Sequence, residues 1–204
     1  MKYEIKYGFR IVHIENIPHI VNKGFVHYDS PDADPNFVPI GDKVVIEKRK
    51  SETQGFKLDK FIPFYLGPRS PMLFVIQHGF NGVQQIHPED IIYCVIKISD
   101  IIANKIKCFY TDGHALDKLT TFYPDSELTL LDSRVNYDDV YTRYWISQED
   151  RDLKRRKEAE LLLVNDLPPE YICGFVVYNE NAQQRLLAMG IPLNKICINS
   201  NYYF

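Results

Sequence analysis

No stretch of this 204-residue chain reaches the roughly 18 consecutive apolar residues of a membrane-spanning helix. The opening residues, MKYEIKYGFRIVHIENI, lack the apolar run and small-residue cleavage site of a secretory leader, so the expected location is the cytoplasm, with no membrane partner. Cysteine is sparse. Cys94, Cys108, Cys173 and Cys197 lie far apart in apolar contexts, with no CxxC pair and no Cys/His cluster of zinc spacing. They read as reduced core thiols, and no metal is implied. The phosphate-binding signatures GxxxxGK[ST] and GxGxxG are absent, as are GxSxG and HExxH. A chain without them that used NAD would not use it as a Rossmann dehydrogenase does. Positive charge is not in excess: 24 Lys and Arg stand against 27 Asp and Glu, a net charge of −3. That balance argues against a protein that coats nucleic acid nonspecifically, and leaves room for a local basic groove.

What is present fits one soluble domain over residues 1–204, with 45% hydrophobic and 25% charged residues. FRIVHIENIPHIVNKGF reads as a strand turning into a helix that Gly24 closes. HYDSPDADPNFVPIGDK is rich in Asp and Pro and reads as an exposed loop. KVVIEKRK alternates like a strand, and SETQGFKLDK reads as a loop. Ser70-Pro71 starts a helix that runs to about Gly79. IIYCVIKI and IKCFYTDG read as strands around the short helical piece SDIIANK, and DSRVNYDDVYTRYWISQED as partly helical. EDRDLKRRKEAELLLVNDL begins as a charged helix and becomes a strand near Ala159. GFVVYN is a strand, ENAQQRLLAMG a helix, and KICINSNYYF a terminal strand. Without a strict βαβ rhythm, this mixture predicts an α+β fold.

Four segments carry candidate chemistry. In FYLGPRSPMLF a Gly67-Pro68 turn presents Arg69 just ahead of a helix. The helix dipole there favours anions, so an arginine in that place suits a bound anion such as a pyrophosphate, or else is an exposed turn residue. In EAELLLV, Glu158 and Glu160 share one strand face and Ala159, Leu161 and Leu163 the other. A carboxylate at the entrance of an apolar strand is a working group or a solvated strand end. In RIVHIEN, Arg10, His13 and Asn16 come at a strand-to-helix turn, where side chains can converge on a ligand or simply hydrogen-bond within the fold. In YTDGHALDKLTTFY, Tyr110, Phe122 and Tyr123 flank the Asp112-Gly113 turn and His114, which suits base stacking or an ordinary core.

In this order, HIENIPHI, FIPFYLGPRSPMLF and EAELLLV resemble the DarT family of DNA ADP-ribosyltransferases over roughly residues 10–180. The resemblance implies an ADP-ribosyltransferase-like mixed split β-sheet with flanking helices and a central NAD cleft. It implies transfer of ADP-ribose from NAD, without a metal, to a base in single-stranded DNA, with nicotinamide released. It places catalysis on Glu160 and Arg69. NAD binding falls on Arg10, Ile11, Val12, His13, Asn16, Gly24 and Arg69, and DNA binding on Tyr110, His114, Thr120 and Thr121. It also implies a toxin–antitoxin setting with a macrodomain antitoxin as partner; a monomer is the default for such an enzyme. The first motif departs from the family's common YHITH: here it reads FRIVH, so Arg10 stands for the first His and Val12 for the Thr. The wording of FRIVHIENIPHI and MLFVIQHGFNGV looks more like the guanine-modifying branch than the thymine-modifying one. Three other readings stay open: an RNA or protein acceptor, a non-enzymatic nucleic-acid-binding module using the run Lys154 to Lys157, and an inactive relative.

Overall fold

A computed structural model describes residues 4–204. Strand β1 (Tyr7–His13) passes through a 3₁₀ turn into α1 (Ile17–Lys23). Gly24 ends α1 with φ +78°, and a Cβ there would lie 1.9 Å from the Leu167 carbonyl oxygen, so only glycine fits. A long loop leads to α2 (Lys43–Arg49) and a small hairpin of β2 (Glu52–Thr53) and β3 (Phe56–Lys57). Then follow β4 (Ile62–Tyr65), α3 (Pro71–His78), β5 (Ile91–Lys97), α4 (Ile98–Ala103), β6 (Cys108–Thr111) and β7 (Phe122–Pro124). The short helices α5 (Leu131–Arg134), α6 (Tyr137–Tyr141) and α7 (Leu153–Lys157) precede β8 (Glu160–Leu163). The chain closes with β9 (Ile172–Val177), α8 (Glu180–Ala188) and β10 (Ile196–Ile198).

The main sheet has eight strands in the order β10-β9-β5-β1-β4-β8-β6-β7. The β9/β10 pair is parallel and the other pairs antiparallel, giving the expected mixed α+β architecture. β5 is an inner strand, buried on both faces. Ile92, Cys94 and Ile96 enter one apolar cluster, and Ile91, Tyr93 and Val95 the other. The sheet is split between β1 and β4. β1 matches β5 over seven residue pairs but meets β4 at Phe9 and Tyr65 alone. Each ladder bond given up there is worth about 0.5–1.5 kcal/mol net. Each fully buried aliphatic side chain contributes about 1.5–3 kcal/mol, so packing on both faces holds the halves together across the opening.

Two segments differ from their sequence reading. KVVIEKR is helical, because the Asp42 side chain accepts a hydrogen bond from the Val44 N–H and so caps the first turn. Lys48 and Arg49 at its C-terminal end favour the dipole. Asp42, Val45, Ile46 and Arg49 then share one face at helical spacing and line the central cleft. SETQGFK is a hairpin rather than a loop; its tip, with Gln54 and Gly55 at positive φ, docks through Gln54 Nε2 onto the carbonyls of Asp117, Lys118 and Thr120. The Ser70-Pro71 helix start holds, with Ser70 Oγ accepting from the Leu73 N–H and Gly79 left-handed at the far end. Among the described residues no helix is long and apolar enough to cross a membrane, and no group of three or more His, Cys, Asp or Glu is placed to hold a metal.

Candidate active site

Where β1 and β4 part, a cleft of about 730 Å³ opens, within the range of small-molecule sites. Arg10 and Ile11 of β1, the inner face of α2, Tyr65 and Glu160 line it. Arg10 spans the split: its Nη1 donates to the Pro63 carbonyl at 2.8 Å, and its Cζ lies 5.6 Å from the centre of the Phe25 ring. Burial, and then the nearby Arg49 charge, pushes its pKa down to about 10.

Glu160 opens β8 and is 1% exposed. Arg49 grips it at two points, Nη2 to Oε2 at 2.8 Å and Nη1 to Oε1 at 3.3 Å, and the Ala115 N–H donates to Oε1 at 3.1 Å. Burial opposes ionisation of Glu160, but the charges of Arg49 and His114 and these hydrogen bonds outweigh it. Its carboxyl is therefore held below the ordinary range. Thr111 sets the strand start: its Oγ accepts from the Glu160 N–H and donates to the Gly113 carbonyl. Glu158 is shifted the opposite way, raised chiefly by burial. Burial, then Glu158 and Glu160, keep the Tyr65 phenol protonated far above its usual value. A buried anion fixed by an arginine, beside a neutral phenol and a second carboxyl of opposite shift, can steady developing positive charge while neighbours handle a proton.

The structure brings together only part of the expected site. Arg69 does not line the cleft. It has φ +56°, its N–H donates to the Tyr93 hydroxyl, and its guanidinium donates to the carbonyls of Asn201 and Tyr203 and lies 4.1 Å over the Phe204 ring. In this geometry it ties the tail to the core, outside the cleft lining where the sequence reading expected a catalytic, NAD-holding arginine. Val12 lines the cleft wall but is 1% exposed and packs in the main core. His13 caps the following turn through Nδ1, which accepts from the Glu15 N–H, and lies outside the cleft lining. Asn16 is buried and clasps Val38 in both directions, Nδ2 to its carbonyl and Oδ1 from its N–H, both at 2.8 Å. It thereby holds the loop whose Phe37 and Pro39 line the cleft. Gly24 lines a smaller side chamber together with Arg10.

Of the residues expected to meet DNA, His114 lies beside Glu158 and Glu160, close enough for its charge to act on both. Tyr110 is fully buried, donates to the Glu127 carbonyl and stacks on Tyr123, so it offers no face to a base. Thr120 is buried with its hydroxyl on the His114 carbonyl, and Thr121 pairs its N–H with Asp112; both brace the loop carrying His114. The basic run is largely absorbed. Arg155 pairs with Asp112 and Asp152, Arg156 with Asp139, Asp150 and Asp152, and Lys157 is buried. A binding module built on that run has little free charge left. Arg49 was missed because its segment read as a strand; the Gly41-Asp42 pair ahead of the apolar residues was the helix-start signal that could have found it.

A family model described as "ssDNA thymidine ADP-ribosyltransferase, DarT" matches residues 9–204. A DNA ADP-ribosyl transferase of Escherichia coli O127:H6 is 30% identical over 183 residues, 87% of this chain and 83% of that protein. A DNA ADP-ribosyl transferase–DNA ADP-ribosyl glycohydrolase fusion protein of Thermosipho africanus is 28% identical, covering 87% of this chain and 44% of the fusion. The fold matches the DarT of Thermus sp. 2.9, solved with ADP-ribosylated ssDNA (TM-score 0.83, 24% identity, 100% of this chain and 99% of that one). It also matches the same enzyme solved with NAD+ (TM-score 0.79, 22% identity, 100% of each chain).

Proposed function

Because this chain belongs to the DarT family of DNA ADP-ribosyltransferases, we propose that its split-sheet cleft binds NAD and that Glu160, fixed by Arg49, drives transfer of ADP-ribose to a base in single-stranded DNA. The observation that carries this reading is the buried Arg49–Glu160 pair on the cleft wall.

The bond from nicotinamide to ribose breaks through an oxocarbenium-like state, as in glycoside hydrolysis. Glu160, ionised at neutral pH, accepts a hydrogen bond from the ribose 2-hydroxyl and stabilises the positive charge as nicotinamide leaves. Arg49 holds the carboxylate in one orientation. The base nitrogen attacks the ribose carbon as nicotinamide leaves, and its proton passes to solvent or to the Glu158 carboxyl, which burial makes the more basic of the two carboxyls. The base must be unstacked to reach the cleft, which favours a single strand.

The acceptor base divides into two readings. Thymidine is named in the description of the family; guanine is favoured by the resemblance of FRIVHIENIPHI and MLFVIQHGFNGV to that branch. The Thermosipho fusion, whose name joins a transferase to a DNA ADP-ribosyl glycohydrolase, supports a toxin paired with a macrodomain antitoxin that removes the mark. Incubation with NAD and single-stranded oligonucleotides, each lacking one base type, followed by intact mass, tests the reading. One added ADP-ribose that disappears without thymine, or without guanine, names the base. No gain on any DNA, from folded protein, overturns the DNA reading in favour of RNA or protein.

A further inference from the structure

The Glu160 carboxylate is held from two segments far apart in the chain. Arg49 at the end of α2 donates two hydrogen bonds to it, and the Ala115 N–H, in the loop between β6 and β7, donates a third. A second contact joins the same two segments. Gln54 stands at the tip of the β2–β3 hairpin that follows α2, and its Nε2 donates to the carbonyls of Asp117, Lys118 and Thr120 at 3.2, 3.2 and 3.0 Å. The loop carries this grip to its other end. The Asp117 N–H and the Thr120 hydroxyl both donate to the His114 carbonyl, at 2.9 and 2.8 Å, next to Ala115. A ring is thereby closed from Arg49 through Gln54, Asp117 and Ala115 to Glu160. Phe56 seats the hairpin, stacked on Phe122 of β7 at 4.3 Å and edge-on to Phe109 of β6 at 5.0 Å.

Glutamine is not the residue that the turn itself favours. Thr53 pairs with Phe56, and the two residues between them, Gln54 and Gly55, have φ of +51° and +83°. Positive φ at both central positions is a type I′ turn, whose preferred first residue is asparagine, aspartate or glycine. Asparagine tolerates that conformation through local hydrogen bonds to its own backbone. Glutamine gains only reach: one further methylene, which brings its carboxamide to the three carbonyls. A residue held in a sparsely populated conformation by its surroundings is often part of a working site. We propose that Gln54 is a positioning residue for the transfer reaction, latching α2 to the loop between β6 and β7 so that Arg49 and the Ala115 N–H together fix the Glu160 carboxylate in one orientation. The inference rests on the reading of Glu160 given above. Gln54 does not line the cleft, so its effect reaches the ribose through the partners of Glu160.

The deciding variant is Gln54→Asn, which suits the turn better but whose shorter side chain falls short of the loop carbonyls. Three readouts are compared with the native protein: urea unfolding, steady-state transfer of ADP-ribose from NAD to single-stranded DNA, and the titration of the Glu160 carboxyl by carbon-13 NMR, assigned with Glu160→Gln. The urea midpoint should stay at or above native. kcat should fall on the order of tenfold, the effect of a small misplacement of a catalytic group, with KM for NAD within about twofold. The Glu160 carboxyl should titrate at higher pH as its partners loosen. Gln54→Lys, whose ammonium has donors for three carbonyls, should restore most of kcat and the native titration. If kcat and the Glu160 titration are both native in Gln54→Asn, the proposal is overturned and Phe56 alone seats the hairpin. A joint fall of kcat and urea midpoint that Gln54→Lys does not recover also overturns it and leaves Gln54 a role in stability only. Native protein that transfers nothing to DNA fails the reading of Glu160 instead; the latch is then judged by the Glu160 titration, which should still rise in Gln54→Asn.

Discussion

Arg49 and Glu160 stand 111 residues apart in the chain and meet as a two-point ion pair on the wall of the cleft. The pair exists because α2 is a helix whose inner face puts Arg49 opposite the first residue of β8. It has two consequences, one for the charge of Glu160 and one for stability.

Replacing Arg49 by Ala should move the acid limb of the rate–pH profile upward. In the native protein Glu160 is held below its ordinary value, so it adds stability above the ordinary carboxyl range, and that stability is lost as pH falls through the folded value. Without Arg49, burial dominates and raises the carboxyl instead. The same change leaves a buried charge unpaired and should cost about 3–5 kcal/mol in urea unfolding. Arg49→Lys keeps the charge but loses the fork, and should lower transfer on the order of tenfold with a smaller loss of stability. An unmoved acid limb in Arg49→Ala would remove Arg49 from the mechanism.

Arg69→Ala and Phe204→Ala should behave alike, because the two side chains form one contact. Arg69→Ala should lose about 1.5–3 kcal/mol, the scale of hydrogen bonds to a charged group, and Phe204→Ala a similar or smaller amount. Hydrogen exchange should rise over residues 199–204 in both variants, while NAD affinity stays near native. A loss of NAD binding in Arg69→Ala with the tail still protected would return Arg69 to the ligand site.

Lys157 gives a pH signature of its own. Its ammonium is buried against the carbonyls of Pro68 and Val140, and burial, then the Arg69 charge, pushes its pKa down to about 7. Above that value the unfolded chain binds a proton there that the native state lacks, so stability should rise as pH goes from about 7 towards 9. Urea unfolding at both values should show a gain of up to a few kcal/mol. Lys157→Met, uncharged at every pH, should flatten this rise; a rise unchanged in the variant would assign it to other groups.

By itself the sequence determined most of the elements and one half of the Arg49–Glu160 pair. Alternation, the Ser70 cap and the glycines at 24 and 79 are local signals, and local backbone chemistry is enough to read them. Glu160 was legible as a carboxylate at the mouth of an apolar strand. What the tertiary structure alone decided is which side chains face one another. Arg69 and Arg49 are both arginines beside helices, and nothing local says that one turns to the tail while the other grips Glu160. Tyr110 sits among aromatic residues that suit a base or a core, and its place in an inner strand chose the core. The latch of Gln54 joins segments 63 to 66 residues apart, and it exists only because the hairpin after α2 packs on β6 and β7. Burial and opposition across a split sheet are properties of the packed whole, so the closed ring around Glu160 had no trace in the order of residues.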